Sequence, residues 1–311
     1  MTSIKKLERL AAGTPEVSDH DQELRSQLGE DQGVASSLRK LVREDKLAVL
    51  SAVIIAIFLL AAIFAPLLTP YSFSDADILN RTAAPSAEHI FGTDEAGRDV
   101  FTRLLYGARV SIAIGIIPTV AAMVIGAILG MASGYFGGRV DTVIMRIADI
   151  MLAFPSLLLA MVIMYTLGDG MVSIFLALAI VNWASVARVV RSETLSLKET
   201  EYVEAARSIG VKGFVIILRH ILPNCIPSLI VLFTLNIPSA ILAESSLSFL
   251  GIGIQPPNAS WGLMVNAGRG LLYDAPWLSI VPSCAIMVMV LAFNFLGDGL
   301  RDVLDPHLKN M

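Results

Sequence analysis

Six long, predominantly apolar stretches without any Asp, Glu, Lys or Arg residue constrain this chain more than any other feature. Each has 18 to 29 residues, and they are 47–74, 110–138, 150–168, 170–187, 220–243 and 275–297. A bilayer core about 30 Å thick is crossed by roughly 20 apolar helical residues. Only helices and closed barrels satisfy every backbone polar group inside hydrocarbon. The pattern therefore predicts an all-α membrane protein with six transmembrane helices.

Composition excludes several other classes of protein. The chain is 55% hydrophobic and 16% charged, whereas soluble domains carry about 25% charged residues. A net charge of −4 gives no reason to expect a nucleic-acid partner. Cys225 and Cys284 lie in apolar runs without CxxC or Cys/His spacing, so we expect no metal site and no disulfide framework.

The third predicted span has charged residues at its start. Four of them lie in 139–149, and a charge at the bilayer centre costs about 2.5–3.5 kcal/mol. We therefore place 139–149 at the membrane interface and begin the crossing near Ile150. Pro155 predicts a kink or a bend there, because proline removes a helix donor.

Orientation follows from the distribution of Lys and Arg. Four cations lie in 39–46, and six lie in 188–219 between the fourth and fifth spans. The loop 69–109 instead has six acids against four Arg residues. Because cytoplasmic segments are enriched in Lys and Arg, we predict that this loop is extracytoplasmic and that both termini are cytoplasmic.

The segment between the fourth and fifth spans has a sequence pattern that predicts local structure. Ser196-Leu-Lys-Glu199 fits a capping box, which predicts a helix start, and Gly210 stands where a left-handed residue ends a helix. An apolar face at helical spacing lies between them, formed by Tyr202, Ala205, Ala206 and Ile209. This predicts a short amphipathic helix on the cytoplasmic side. A loop resting on lipid is the alternative interpretation.

Glu204-Ala205-Ala206, Gly210 and Leu222-Pro223 together resemble the EAA loop of ABC-type import permeases. The pattern is EAA-x3-G-x9-I-x-L-P, and all of these residues fit it. The Ile position holds His220 here, with Ile221 one residue later. Further segments are similar to the peptide and nickel branch of that family: Phe91–Asp99, Gly134–Gly138, Glu244–Gly253, Pro257–Gly262 and Asn294–Asp302.

The resemblance implies a type I ABC importer permease fold with cytoplasmic coupling helices between spans four and five. It divides the chain into a cytoplasmic tail 1–46, a first span with its extracytoplasmic loop 47–107, an ABC transmembrane type-1 permease domain 108–300 and a cytoplasmic tail 301–311. Residues 196–210 would dock in a cytoplasmic ATPase, with Ala205 and Ala206 in close contact. Glu204 would anchor this helix, and Gly210 would set its exit angle.

The resemblance also implies partners. They are a second homologous permease subunit, two ABC ATPase subunits, an extracytoplasmic solute-binding protein and membrane lipid, in a prokaryotic inner membrane. The chain has no G-x4-G-K-[ST] motif, and no Gly is followed by Lys, so ATP and Mg would be bound by the ATPases. We expect a non-catalytic subunit without its own cofactor. Peptides are the expected substrate, with nickel chelates or glutathione as alternatives.

Two polar residues within spans are candidates for the translocation path. Glu244 is the only acid between residues 220 and 273, and an intramembrane acid is a functional candidate by default. It would attract a peptide amine; the alternative is a hydrogen bond between helices or a pair with Arg269. Asn236 is the second candidate, and its alternative is contact between helices.

Two other functional classes are less consistent with the residues. An ion-driven secondary transporter usually shows inverted repeats and ionisable groups near the membrane midplane, and neither pattern is evident. An intramembrane enzyme requires a nucleophile–base pair or a metal cluster. The four His residues are far apart in the sequence, at His20, His89, His220 and His307.

Overall fold

The computed structural model describes residues 45–168 and 170–304, and this part of the chain is helical without a named strand. Most of the predicted tails, 1–46 and 301–311, lies outside the described residues. The α-helices are α1 Lys46–Ile63, α2 Ala65–Leu68, α3 Val100–Phe136, α4 Gly138–Ala153, α5 Ser156–Leu167, α6 Met171–Lys198, α7 Glu201–Ser208, α8 Gly213–Ile216, α9 Leu222–Phe249, α10 Trp261–Gly268 and α11 Trp277–Leu304.

Five apolar helical segments within the described residues are long enough to cross a membrane. They are α1, α3, α6, the continuous segment Gly213–Phe249 and α11. The pair α4 and α5 makes a sixth if its two halves form one crossing. Each predicted span overlaps one of these elements, so the all-α membrane fold is confirmed. Several of the helices extend beyond the apolar stretches that identified them.

The α4–α5 pair is bent by 96°. The break lies at Phe154 and Pro155, so the bend predicted at Pro155 is confirmed. Upstream of the break, Ala148 packs with Trp183 and Ala184 of α6 in one buried cluster. The charged segment expected at the interface is therefore a regular helix with one face against α6.

Three glycines let α3 and α6 approach closely. A Cβ atom built on Gly126, Gly130 or Gly134 would lie 2.6–2.8 Å from atoms of α6, including the carbonyl oxygen of Ala187. Their spacing of four residues places them on one helix face, and small residues at this spacing allow membrane helices to pack tightly. The interpretation of the sequence did not identify this motif.

The loop before α3 is organised by Asp94. Its carboxylate accepts a 2.8 Å hydrogen bond from Arg98 and lies 3.3 Å from the guanidinium of Arg103. Asp99 caps α3 by accepting hydrogen bonds from the backbone and hydroxyl of Thr102. The Arg98 and Asp94 side chains are 17% and 12% exposed. The ion pair between Asp94 and Arg98 is therefore largely buried.

Candidate functional site

Helix α7, Glu201–Ser208, lies between the ends of two long apolar helical segments. It starts later than the sequence pattern predicted, and the capping-box prediction is wrong. Ser196 belongs to the last turn of α6, where its hydroxyl donates to the carbonyl of Ser192 at 3.4 Å. Thr200 is the N-cap of α7, and its hydroxyl donates back to the carbonyl of Leu197. The predicted helix 196–210 is therefore one turn of α6 followed by a separate short helix.

The two faces of α7 have opposite environments. Val203 and Ala206 are buried in a cluster that also contains Ile216 and Ile221. Ala205 is exposed instead, as are Tyr202 and Ile209 at the same face of the chain. The two alanines that the sequence pattern grouped as one contact therefore point to different sides. Ala206 holds α7 on the membrane helices, and Ala205 is available to another surface.

Gly210 ends α7 in a Schellman arrangement. The amide of Val211 donates to the carbonyl of Ala206 at 3.1 Å, and the amide of Gly210 donates to the carbonyl of Arg207 at 3.0 Å. Gly210 has φ of +81°, which L-residues with a Cβ adopt at a cost. The predicted left-handed residue is confirmed. It reverses the chain so that α8 starts three residues later.

The end of α3 supports α7 from the side. The guanidinium of Arg207 lies 5.8 Å from the centre of the Tyr135 ring, within the range of a cation–π contact. The same ring lies against Gly213, where an added Cβ would be 2.7 Å from it. Lys198 also donates to the carbonyl of Gly134 at 3.5 Å. The sequence places Tyr135 within the segment Gly134–Gly138 that resembles the family, but it does not indicate this supporting role.

A π-helical turn, Ile217–Ile221, connects α8 to α9. Pro223 follows it and has no amide hydrogen, while the amide of Leu222 donates to the carbonyl of Ile217 five residues earlier. Local π geometry is one way in which membrane helices accommodate proline. His220, which departs from the family pattern, places its ring 6.2 Å from that of Tyr202. This position therefore packs beside α7.

Exposed apolar side chains occur at the end of α7 and in the α8 segment that follows it. Phe214 is 67% exposed and Ile209 is 82% exposed, with Val215 and Leu218 close to them in the sequence and also exposed. Glu204, also exposed, has no side-chain hydrogen bond or ion pair within the described part of the chain. Exposed apolar surface beside polar residues is typical of an interaction site. Such a surface can contact another protein or the membrane surface.

Glu244 is completely buried in α9. Its Oε1 accepts hydrogen bonds from the hydroxyls of Ser248 at 2.7 Å and Ser260 at 2.8 Å. Ser260 is the N-cap of α10, so this carboxylate connects α9 to α10, in agreement with one of the alternatives drawn from the sequence. Arg269 instead lies over the ring of Phe249. The role of Glu244 in a translocation path stays a prediction.

Asn236 makes a local contact. Its side-chain amide donates to the carbonyl of Leu232, one turn earlier in α9, at 2.7 Å. The residue is half-buried. This bond satisfies one donor within the same helix and leaves the predicted path role untested.

Comparison with known families identifies the chain. A model described as "Binding-protein-dependent transport system inner membrane component" matches residues 100–310. Another, described as "N-terminal TM domain of oligopeptide transport permease C", matches residues 37–85. The first match alone covers more than half of the chain and includes α7, the π-helical turn and α9.

Curated relatives agree over nearly the whole length. The dipeptide transport system permease protein DppC of Alkalihalophilus pseudofirmus is 47% identical over 87% of this chain and 89% of its own length. The oligopeptide transport system permease protein OppC of Bacillus subtilis is 44% identical over 86% and 88%. The glutathione transport system permease protein GsiD of Pectobacterium atrosepticum is 44% identical over 88% and 90%. The chain therefore belongs to the binding-protein-dependent transport system inner membrane components, the import-permease family that its motifs predicted, and is a multi-pass inner membrane protein.

Proposed function

We propose that this chain is the permease subunit of an ATP-driven ABC importer and forms half of the translocation pathway for peptides. The observation that carries the proposal is the two-sided helix α7. Val203 and Ala206 fix it to the membrane helices, while Ala205 and its apolar surroundings remain exposed. A helix held in this way can receive force from a partner and pass it to the spans.

The proposal includes six crossings with both termini in the cytoplasm, α4 and α5 forming one bent crossing. Residues 201–208 are then the coupling helix, with Glu204, Ala205 and Ala206 at its centre. Gly210, Leu222 and Pro223 shape its return into α9. The domain boundaries 1–46, 47–107, 108–300 and 301–311 belong to the same proposal.

Two cytoplasmic ATPases would bind α7 and its counterpart in a second, homologous permease subunit. ATP and Mg are held by those ATPases, and this chain has no catalytic role or cofactor. A solute-binding protein would deliver substrate to the extracytoplasmic face. The second permease would contact a groove of about 540 Å³ between α3 and α9, which is lined by apolar residues including Val124, Ile128 and Phe233.

Peptides are the proposed substrate, because the relatives named above include dipeptide and oligopeptide permeases. A glutathione permease is about as similar, so glutathione is the second candidate, and a nickel chelate is the third. Reconstituted vesicles containing the full complex would separate them by uptake of each labelled solute. Preferential uptake of glutathione or a nickel chelate would contradict the peptide proposal.

A substitution at Ala205 tests the coupling role. Ala205→Trp should prevent close approach of the ATPases and abolish ATP-driven uptake. Ala205→Ser adds little volume and should retain both ATPase binding and uptake. The measurements are co-purification of the ATPases and uptake in reconstituted vesicles. Full attachment and uptake in the Ala205→Trp variant would overturn the coupling proposal. Uptake that survives ATP removal but is lost with the proton gradient would identify a secondary transporter.

A further inference from the structure

Glu193 of α6 and Ser228 of α9 form a hydrogen bond that neither the sequence motifs nor the comparisons assign to a function. The Ser228 hydroxyl donates to Oε1 of Glu193 at 2.8 Å. The thiol of Cys225, one turn earlier in α9, lies beside the same carboxylate. Within residues 45–168 and 170–304, this is the one hydrogen bond between side-chain oxygen or nitrogen atoms that joins α6 to α9.

The Glu193–Ser228 hydrogen bond lies close to the proposed coupling helix α7. Glu193 lies five residues before the end of α6, and Ser228 lies in the second turn of α9. These are the two helices through which the chain enters and leaves the α7 segment. One buried apolar cluster lies at this end of the two helices and includes Val190 of α6, Cys225 of α9 and Ile221 of the π-helical turn. The bond therefore joins α6 to α9 close to α7.

The Glu193–Ser228 bond is better suited to orienting the two helices than to stabilising the fold. Oε2 of Glu193 is buried and has no hydrogen-bond partner within the described part of the chain. An unsatisfied buried polar atom costs free energy, and apolar residues of similar volume often replace buried polar pairs without loss of stability. A hydrogen bond, unlike an apolar contact, specifies the direction in which its two groups must face.

We propose that Glu193 is a positioning residue that keeps α6 and α9 in register when the coupling helix is displaced. This inference rests on the proposed function. Displacement of α7 acts on α6 through Thr200 and on α9 through Gly210 and α8. The Glu193–Ser228 bond makes α6 and α9 rotate together. The displacement of α7 is then passed to the membrane spans and does not separate these two helices.

The experiment uses the full complex with its ATPases and binding protein in reconstituted vesicles. Glu193→Ala and Ser228→Ala remove either side of the bond, while Glu193→Gln retains an acceptor oxygen. Ser192→Ala is the matched control, because Ser192 is the exposed neighbour on α6. The readouts are the amount of assembled complex, the rate of ATP hydrolysis and the solute imported per ATP hydrolysed.

We expect Glu193→Ala to lower solute imported per ATP by about threefold or more, in the range of known couplings between distant sites. Ser228→Ala should lower it in the same direction and add nothing in the Glu193→Ala background, while Glu193→Gln and Ser192→Ala should stay close to wild type. If Glu193→Ala does not assemble, Ser228→Ala decides the outcome.

An unchanged import per ATP in the assembled variants would overturn the inference. If Glu193→Ala does not assemble, an unchanged import per ATP in Ser228→Ala overturns it. The proposed function fails by a different result, namely absence of ATP-dependent uptake by the wild-type complex. The two failures are therefore distinguishable.

Discussion

Arg191 of α6 donates two hydrogen bonds to the carboxylate of Asp141 in α4, at 2.5 and 2.7 Å. The hydroxyl of Ser133 in α3 donates to the same carboxylate at 2.5 Å. Three membrane helices therefore converge on one acidic group. A second ion pair between α4 and α6, Asp149 with Arg188, has both side chains 55% exposed. The two pairs form a natural comparison.

Removing the Asp141 carboxylate should destabilise the fold. Asp141→Ala is expected to cost about 1–3 kcal/mol, since hydrogen bonds to charged groups are among the stronger ones. Asp149→Ala should cost about 0–1 kcal/mol, because exposed ion pairs contribute little. Thermal unfolding of the permease in lipid nanodiscs, followed by tryptophan fluorescence, measures both. Equal losses of stability for the two variants would show that the difference in burial does not determine the contribution of these ion pairs.

Gly130 should tolerate no larger side chain. The Cβ atom of Gly130→Ala would meet the carbonyl oxygen of Ala187 at 2.6 Å, so α3 and α6 must separate, at a cost of about 1–3 kcal/mol. Gly270→Ala is the control, because nothing lies within 4 Å of that Cβ. The fraction of monodisperse permease after size-exclusion chromatography reports the effect. Equal monodisperse fractions for Gly130→Ala and Gly270→Ala would refute this account of the packing.

Gly210 should be required for its backbone conformation and not for its size. No atom would contact an added Cβ, but φ of +81° disfavours most side chains, by about 1–2 kcal/mol. Gly210→Val should therefore change the exit from α7 and reduce ATP-driven uptake. Gly210→Asn should retain more activity, because Asn visits this conformation more readily. Equal uptake by the two variants would show that the conformation is unimportant.

Glu244→Gln tests the buried carboxylate. The Gln side chain keeps one acceptor oxygen for Ser248 and Ser260, so assembly and uptake of neutral and cationic peptides should change little. Glu244→Leu leaves both hydroxyls without this acceptor and should lower the melting temperature of the permease, because unsatisfied buried groups cost about 1–3 kcal/mol each. Selective loss of cationic peptide uptake in Glu244→Gln would place this residue on the translocation path.

Much of the fold could be predicted from the sequence, because each membrane span appears as a long apolar stretch without charged residues. The bend at Pro155 and the left-handed Gly210 were also predictable, since each depends on the local chemistry of one residue. The start of α7 was not. Ser196 and Glu199 match a capping box, but α6 continues through Ser196 because its packing extends beyond the apolar stretch.

The finer organisation of the candidate site depends on contacts between distant residues. Ala205 and Ala206 are adjacent, and only the position of α6 and α9 decides which of them is buried. Tyr135 lies more than 60 residues from α7 in the sequence, and no local pattern connects them. Glu193 was one charge among many in a polar segment, and only the approach of α9 brings Ser228 to it.

The π-helical turn Ile217–Ile221 inserts a residue relative to regular α-helix. Each residue of an α-helix turns the chain by about 100°. Shortening this segment by one residue would therefore swing α7 about the axis of α9 by roughly that angle, and Ala205 would face away from any protein bound below it. The angular placement of the exposed Ala205 face thus depends on one additional residue in the connecting helix.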